Sequence, residues 1–283
     1  MALTLMYITN NPRVAEIAQE AGVNRVWVDM EYIGKELRQA GMNTVKSHHT
    51  VEDVEKLRNV VTKSQLQVRV NPIHDATSEY CGSKEEIDNV IKAGAEIVML
   101  PMFKTPQEVG KFVEYVDGRA RVQLLCETRE AAECIDEIMD VPGIDEMYVG
   151  LNDLHLSYGQ KFMFQPLCDG KMDKLAEKIR AKGLPFGFGG IARVGFGMLP
   201  AEYIIGEHYR LGSTAAILSR GFCNMNMVKN PEDVRDLFIE GVQNIRAKES
   251  ECEKYSAEDF SRNHEEVVHR VNQIVADIES KQK

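Results

Sequence analysis

The sequence lacks the cysteine and basic-residue patterns that mark several large classes of protein. Its six cysteines include no Cys-x-x-Cys pair, which argues against a zinc site or a disulfide framework and favours reduced thiols in a cytoplasmic protein. It has 34 Lys and Arg residues against 44 Asp and Glu, a net charge of −10, and no long basic block. We therefore expect no nucleic-acid partner and no surface for an anionic membrane.

Long hydrophobic runs are also missing. The apolar segment nearest the N-terminus, Ala2–Thr9, has neither a basic lead-in nor a small-residue cleavage pattern, and it is too short to cross a membrane. We predict that it forms the first strand of the fold and that the chain does not associate with a membrane.

Two further absences concern the fold. No Gly-x-Gly-x-x-Gly turn follows the first strand, which disfavours a doubly wound sheet, and no Pro/Gly/Ser-rich linker divides the 283 residues into domains. Strand-like and helix-like patterns instead alternate at a regular step. The predicted strands are Thr4–Thr9, Arg25–Glu31, Leu66–Asn71, Ile97–Met102, Val122–Glu127, Met147–Asp153, Phe186–Ile191 and Ala215–Ser219. Eight strand–helix units predict a single (β/α)8 TIM barrel, an α/β fold of about 250 residues.

The C-terminal stretch lies beyond the eight units. We assign residues 1–250 to the barrel and residues 251–283 to a helical extension that serves oligomerisation. A capped helix starts at Ser256, and its apolar residues recur at helical spacing. This apolar stripe packs either on its own barrel or on a neighbouring subunit. The second alternative predicts a dimer-based homo-oligomer, with a trimer or hexamer as larger forms.

Polar residues gather at the carboxyl ends of the predicted strands, where the active sites of TIM barrels form. Glu127 closes strand five and Asp153 closes strand six, 26 residues further on (153 minus 127). Consecutive parallel strands bring both carboxylates to the same mouth of the barrel. Two oxygen ligands with room left for water suit a hard divalent cation, so we predict an Mg²⁺ (or Mn²⁺) site at Glu127 and Asp153.

Arg69 ends strand three and offers a fixed positive fork for a carboxylate or enolate oxygen, with an ion pair to Asp29 or Glu31 as the structural alternative. No lysine stands at a strand end, and this argues against a Schiff-base aldolase. A metal that acts as a Lewis acid on a 2-keto acid is the better interpretation. The chemistry expected is cleavage or formation of a carbon–carbon bond next to a pyruvate-like enolate.

Several short motifs also carry a resemblance to a known family. They are Val28-Asp29-Met30-Glu31, Val68-Arg69-Val70-Asn71, Val98-Met99-Leu100-Pro101-Met102, Cys126-Glu127-Thr128-Arg129-Glu130-Ala131 and Val149-Gly150-Leu151-Asn152-Asp153-Leu154. In order and spacing, over roughly residues 20–160, they resemble the HpcH/HpaI aldolase and citrate lyase family. The resemblance implies a phosphoenolpyruvate/pyruvate-type barrel with a swapped C-terminal helix, and lyase chemistry on pyruvate, oxaloacetate or acyl-CoA enolates with Mg²⁺ or Mn²⁺. It also implies a substrate-binding role for Arg69 and metal-ligand roles for Glu127 and Asp153.

The chain departs from that family pattern at two positions. Tyr32 stands where the pyruvate aldolases have a histidine after the strand-two acid, and Leu125 stands where they usually have glutamine. His49 is a candidate base in a different geometry, with an exposed pair His48-His49 as the structural alternative; His155 is a second candidate. Tyr32 itself is a further catalytic candidate as a proton donor, although a tyrosine is a poor base unless its pKa is perturbed.

Substrate recognition involves further candidates. Gly190 and Arg193 lie in a glycine-rich stretch around the end of strand seven, where barrels often bind anions, and Arg220 follows strand eight. Together with Asn152 and Arg69 they are the predicted substrate-binding residues. The nearest enzymatic alternative is an acyl-CoA lyase of the citryl- or malyl-CoA type, with Lys35 and Arg38 as added cations. The non-enzymatic alternative is a catalytically silent barrel that binds an anionic metabolite.

Overall fold

The computed structural model describes residues 2–34, 47–225, 228 and 230–281. Eight parallel strands pair in chain order and close into a barrel, β1 against β8. The strands are β1 (Thr4–Ile8), β2 (Arg25–Asp29), β3 (Gln65–Arg69), β4 (Ile97–Leu100), β5 (Arg121–Cys126), β6 (Glu146–Val149), β7 (Phe186–Ile191) and β8 (Ala215–Leu218). All eight predicted strands are present, and the predicted TIM barrel is confirmed.

Helices surround the barrel in the alternation that the sequence predicts. Those described are α1 (Pro12–Glu20), α2 (Val51–Arg58), α3 (Ser83–Lys92), α4 (Pro106–Val116), α5 (Arg129–Glu133), α6 (Ile135–Met139), α7 (Leu151–Ser157), α8 (Gln165–Cys168), α9 (Lys171–Ala181), α10 (Ala201–Leu211), α11 (Arg235–Cys252) and α12 (Ala257–Lys281). The pattern predicts one helix over Arg129–Met139, but the structure divides it into α5 and α6 at Cys134. The backbone of Cys134 leaves the helical conformation there, with φ −108° and ψ 30°.

Local capping chemistry explains several helix starts. The side chain of Asn11 accepts the N–H groups of Arg13 and Val14 ahead of Pro12, which tolerates the first turn because it needs no hydrogen-bond acceptor. Thr105 and Glu108 form a capping box at α4. Each cap satisfies backbone donors that would otherwise lack partners. The residues that precede these helices are thereby held at the mouth of the barrel.

The interior of the barrel changes character along its axis. At the amino end of the strands, the guanidinium of Arg25 holds Glu146 through two hydrogen bonds of 2.6 and 2.8 Å, both groups being buried. Above that pair lies a small apolar cluster of Met6, Trp27, Met99, Leu125, Tyr148 and Ala215. The charged residues of the barrel mouth come next. The main hydrophobic core lies outside this interior, between the strands and the surrounding helices.

The predicted C-terminal helix is present as α12, and Asp259 caps its start by accepting the backbone N–H of Ser256 at 2.9 Å. Its first half packs on α10 of the same chain, where the His264 Nδ1 lies 3.0 Å from the fully buried carboxylate of Glu207. Val267 and Val271 are completely buried. The helix therefore covers its own barrel, and its exchange between subunits remains a prediction. Within the described ranges, no helix is both long and apolar enough to cross a bilayer.

Candidate active site

A cavity of about 360 Å³ opens at the carboxyl end of the strands. This is the end of a TIM barrel at which catalytic groups collect. Six of the predicted site residues line it: Arg69, Glu127, Asn152, Asp153, Gly190 and Arg220. Three do not: Tyr32, His49 and Arg193. Lys35 and Arg38 lie outside the described residues.

Glu127 follows the last residue of β5, and its carboxylate is buried at 3% exposure. The backbone N–H of Met102 donates to Oε1 at 3.3 Å. The next residue, Thr128, caps α5 by accepting the N–H of Ala131, while its hydroxyl donates to the carbonyl of Phe103 at 2.8 Å. The Glu-Thr sequence therefore positions an acidic side chain at the end of a strand and starts the following helix immediately.

The side chain of Glu127 occupies the space that a side chain at position 150 would need, so this position requires glycine. A Cβ built on Gly150 would lie 2.7 Å from Glu127 Oε2 and 3.1 Å from Leu125 Cδ1. Both distances are shorter than ordinary van der Waals contact. The absence of a side chain at position 150 thus leaves space for the carboxylate at the cavity wall.

Asp153 differs from the prediction in its secondary structure. Strand β6 ends at Val149, and Asn152 and Asp153 lie in the first turn of α7 instead of at the end of an extended strand. A carboxylate is favoured in the first turn of a helix by the partial positive charge of the unpaired N–H groups. Although the strand ends earlier than predicted, Glu127 and Asp153 line the same cavity, as the sequence predicts.

Arg69 makes the pairing that the sequence left open. Its Nε and one terminal nitrogen donate to the two oxygens of Asp29, each at 2.8 Å, and its other terminal nitrogen lies 3.4 Å from Glu31. Burial works against the charge, but the carboxylates of Asp29 and Glu31 outweigh it and raise the pKa of the Arg69 guanidinium. The guanidinium also lies 5.3 Å from the ring centre of Trp27. Arg69 is therefore a fixed cation at the cavity wall.

The candidate bases Tyr32 and His49 contact each other beside the cavity. The hydroxyl of Tyr32 donates to the carbonyl of His49 at 2.5 Å, and the backbone N–H of Asp29 donates to Nδ1 of His49 at 3.1 Å. Burial, with the nearby carboxylates of Glu86 and Asp29, raises the pKa of Tyr32. His49 is buried, whereas His48 is exposed. The pair thus supports the backbone of a cavity residue, Asp29, without lining the cavity.

The other histidine candidate, His155, is buried in α7 and does not line the cavity. Its Nδ1 lies 3.2 Å from the carbonyl of Leu151. Burial lowers the pKa of His155, so its ring is neutral at physiological pH.

The rim formed by β7 and β8 contains the predicted glycine-rich segment. Gly189 has a φ of +49°, and the pairing of β7 with β8 shifts register between Gly187 and Gly190. Gly190 and Arg220 line the cavity there. Arg193 instead lies over the ring of Phe196, 4.2 Å from its centre, outside the cavity lining. Arg220 is thus the cation that this rim contributes to the cavity.

The cavity lining also contains many residues outside the predicted site set, and Asp29, Trp27 and Tyr148 are the ones that shape its chemistry most. The sequence predicts Asp29 only as a polar strand end and as an alternative partner of Arg69. Trp27 and Tyr148 lie two residues before Asp29 and Gly150, so they face the interior on the same side of their strands. That spacing of two is the signal by which they could be found.

The donor set at the cavity is made of carboxylate oxygens. Among the described residues, no group of three or more His, Cys, Asp or Glu side chains converges closely enough to hold a metal ion. A cation at Glu127 and Asp153 would take its other ligands from water or substrate. Magnesium and manganese commonly bind in this way, with a few carboxylates and the remaining positions left to water.

Comparison with known proteins agrees with this architecture. The family model described as HpcH/HpaI aldolase/citrate lyase matches residues 3–164, more than half of the chain. The HpcH/HpaI aldolase from Desulfitobacterium hafniense DCB-2 is similar in fold, with a TM-score of 0.59 and 17% identity over 87% of this chain and 93% of that one. No curated protein sequence matches the chain.

Two further solved structures share the fold. An HpcH/HpaI aldolase/citrate lyase family protein from Burkholderia cenocepacia J2315 has a TM-score of 0.60 at 15% identity, covering 83% of this chain and 95% of that one. Citrate synthase SbnG has a TM-score of 0.58 at 17% identity, covering 78% of this chain and 88% of that one. At these identities the likeness concerns the fold alone.

Proposed function

The chain belongs to the HpcH/HpaI aldolase/citrate lyase family, and we propose that it is a metal-dependent carbon–carbon lyase or aldolase acting on a 2-keto acid. The observation that carries the proposal is the shared cavity. Glu127 and Asp153 line it together with two cations, Arg69 and Arg220. A cavity with paired carboxylates and separate guanidinium groups suits a small anionic substrate held beside a cation.

The residues of the cavity fit a divalent metal. Glu127 and Asp153 would hold Mg²⁺ or Mn²⁺ through carboxylate oxygens, the ligands that these hard cations prefer. When bound, such an ion supplies Lewis-acid polarisation of the keto and carboxylate oxygens of the substrate. The burial of Glu127 supports this role, because a carboxylate in a poorly solvated site attracts a cation more strongly than one exposed to water.

Arg69 and Arg220 would orient the substrate. Arg69 is held by Asp29 through two hydrogen bonds, so its position costs little entropy at the moment of binding. Its outward charge is reduced by the same pairing and by Glu31. We therefore assign orientation of the substrate to Arg69, and to Arg220 the attraction of the substrate carboxylate.

His49 and Tyr32 would act through Asp29. The N–H of Asp29 donates to His49 Nδ1, and the hydroxyl of Tyr32 fixes the backbone of His49. We propose them as positioning residues for the Asp29–Arg69 pair. Tyr32 is not proposed as a general base, because its pKa is raised and the phenol stays protonated at neutral pH.

The first experiment is proton NMR of pyruvate and 2-oxobutanoate in D₂O, with the protein and Mg²⁺ or Mn²⁺. Metal-dependent loss of the signals at carbon 3 is the expected result. Glu127→Gln should abolish the exchange. Glu130→Gln is the matched control, since Glu130 is three residues further along and its carboxylate forms an exposed ion pair with Lys104.

Each other outcome points to a different function. Exchange that persists in Glu127→Gln would overturn the metal-ligand assignment. Turnover of an acyl-CoA thioester without exchange of either keto acid would favour the citryl- or malyl-CoA type of lyase. Metal binding without turnover of any keto acid or thioester would favour a silent barrel that binds an anionic metabolite.

We further propose that the protein is a dimer-based homo-oligomer.

A further inference from the structure

The cavity is divided into a polar mouth and an apolar floor. The floor consists of Trp27, Leu125, Tyr148 and Ile217, all of which line the cavity. Each lies two residues before a residue of the mouth on the same strand path: Asp29, Glu127, Gly150 and Ser219. A step of two residues along a strand keeps the side chain on the same face and moves it about 6.6 Å along the barrel.

Tyr148 presents no polar group to the cavity. Its hydroxyl accepts the N–H of Ile217 at 2.9 Å and donates towards the carbonyls of Phe188 and Gly189. These partners belong to β7 and β8, so the hydroxyl is used within the wall of the barrel. The ring alone faces the cavity. Leu125 and Trp27 are each 2% exposed and pack with Tyr148 in the same apolar cluster.

The apolar floor lies directly beside the carboxylates. The position of a Cβ on Gly150 would be 2.7 Å from Glu127 Oε2 and 3.1 Å from Leu125 Cδ1, so both atoms border one small volume. A ligand whose keto-acid end is held at Glu127 and Asp153 therefore has its next carbons over Leu125. A second carboxylate in that place would lose most of its hydration, and the floor would offer it a single donor, the buried indole N–H of Trp27.

We infer that the substrate is a 2-keto acid with a hydrocarbon substituent, an alkyl chain of two or more carbons beyond the keto group, seated on Trp27, Leu125 and Tyr148. This inference rests on the proposed function and adds the specificity of the same site. Leu125 is the specificity-determining residue, because it joins the floor to Glu127. Each methylene added to pyruvate would itself be removed from water when it enters the cavity over the floor.

Isothermal titration calorimetry with the Mn²⁺-loaded protein tests the inference. The probes are pyruvate, 2-oxobutanoate, 2-oxopentanoate and oxaloacetate. Affinity should rise about fourfold per methylene, roughly 16-fold from pyruvate to 2-oxopentanoate. Oxaloacetate should bind more weakly than 2-oxopentanoate. Equal affinities along the series, or tightest binding of oxaloacetate, would overturn the inference while leaving the proposed function in place.

Two variants test whether the floor causes the preference for 2-oxopentanoate over pyruvate. Leu125→Gln should reduce the 16-fold preference to about fourfold or less, with the affinity for Mn²⁺ alone unchanged. Leu125→Ala gives the same comparison without a new polar group, should the glutamine variant fail to fold. Leu156→Gln is the matched control, since Leu156 is 36% exposed on α7 and outside the cavity.

Retention of the full preference in both Leu125 variants would overturn the role of the floor. Failure of every keto acid to bind, with Mn²⁺ still bound, would remove the proposed function and the inference together. The two failures are thus distinguishable, because only the first leaves binding of keto acids intact.

Discussion

The hydroxyl of Tyr148 on β6 accepts a hydrogen bond of 2.9 Å from the backbone N–H of Ile217 on β8. The two strands are not neighbours, because β7 lies between them. The same hydroxyl lies 3.0 Å from the carbonyl of Phe188 on β7. One phenol therefore connects three consecutive strands at the point where the register of β7 and β8 shifts.

We expect Tyr148→Phe to reduce the free energy of unfolding by about 1–3 kcal/mol. The substitution leaves a buried donor and acceptor without a partner, and the cost of their lost hydration is of that size. Chemical denaturation followed by circular dichroism measures it. Tyr80→Phe is the control, because Tyr80 is 37% exposed, and it should change stability by less than about 0.5 kcal/mol. Equal stability of the two variants would show that the hydroxyl of Tyr148 contributes nothing.

Gly150→Ala is expected to weaken divalent-metal binding without preventing folding. Gly150 has φ −81° and ψ 83°, close to the inverse γ-turn conformation that other residues also adopt, so the main conflict is between the new Cβ and the side chains of Glu127 and Leu125. Displacement of the carboxylate should lower Mn²⁺ affinity by about tenfold or more, as calorimetry would measure. Gly110→Ala is the matched control, since a Cβ there contacts nothing within 4 Å. Unchanged affinity in Gly150→Ala would argue against Glu127 as a ligand.

Truncation after Ser256 is expected to lower the number of subunits per particle in solution. Ile274, Val275 and Ile278 in the second half of α12 are only partly buried by their own chain, and an incompletely covered apolar stripe is typical of a subunit contact. Light scattering after size-exclusion chromatography measures the mass. His264→Ala is the comparison: it removes the contact with Glu207 on the same chain, and should leave the mass unchanged. An unchanged number of subunits in the truncated protein would contradict the oligomer proposal.

The sequence predicted the fold because strands and helices alternate with clear boundaries. Each strand is a short apolar run, and many helices begin with a recognisable cap, such as Thr105 with Pro106 at α4. It did not predict where β6 ends. Val149 and Leu151 are both buried, and hydrophobicity alone cannot distinguish the last residue of a buried strand from the first turn of a helix packed over it.

Most of the site residues predicted from the sequence line the cavity, because the carboxyl ends of parallel strands meet at one mouth. It could not establish which charges pair within that mouth. Arg69 faces both Asp29 and Glu31, and their bonding depends on the tilt of neighbouring strands, which periodicity does not encode. Arg193 shows the same limit, since a turn after β7 directs it to Phe196 instead of the cavity.

The buried imidazole of His208 should make the stability of the barrel sensitive to mild acid. Its ring stacks on Phe188 with centres 3.9 Å apart, and its Nδ1 lies 2.8 Å from the hydroxyl of Ser213. Burial lowers the pKa of His208 from 6.5 to about 3. Between these values the unfolded chain binds a proton that the folded chain does not, so stability is lost as the pH falls below 6.5.

The expected loss from this group is about 2 kcal/mol between pH 7.5 and pH 5, since each pH unit well below the unfolded pKa costs about 1.4 kcal/mol. Urea denaturation of the native protein and of His208→Gln at both pH values isolates it, because the glutamine does not titrate. The native protein should lose about 2 kcal/mol more than the variant over this interval. His48→Gln, at an exposed histidine, should behave as the native protein does. Identical pH dependence of the native protein and His208→Gln would mean that the ring becomes protonated without unfolding, which its burial against Phe188 opposes.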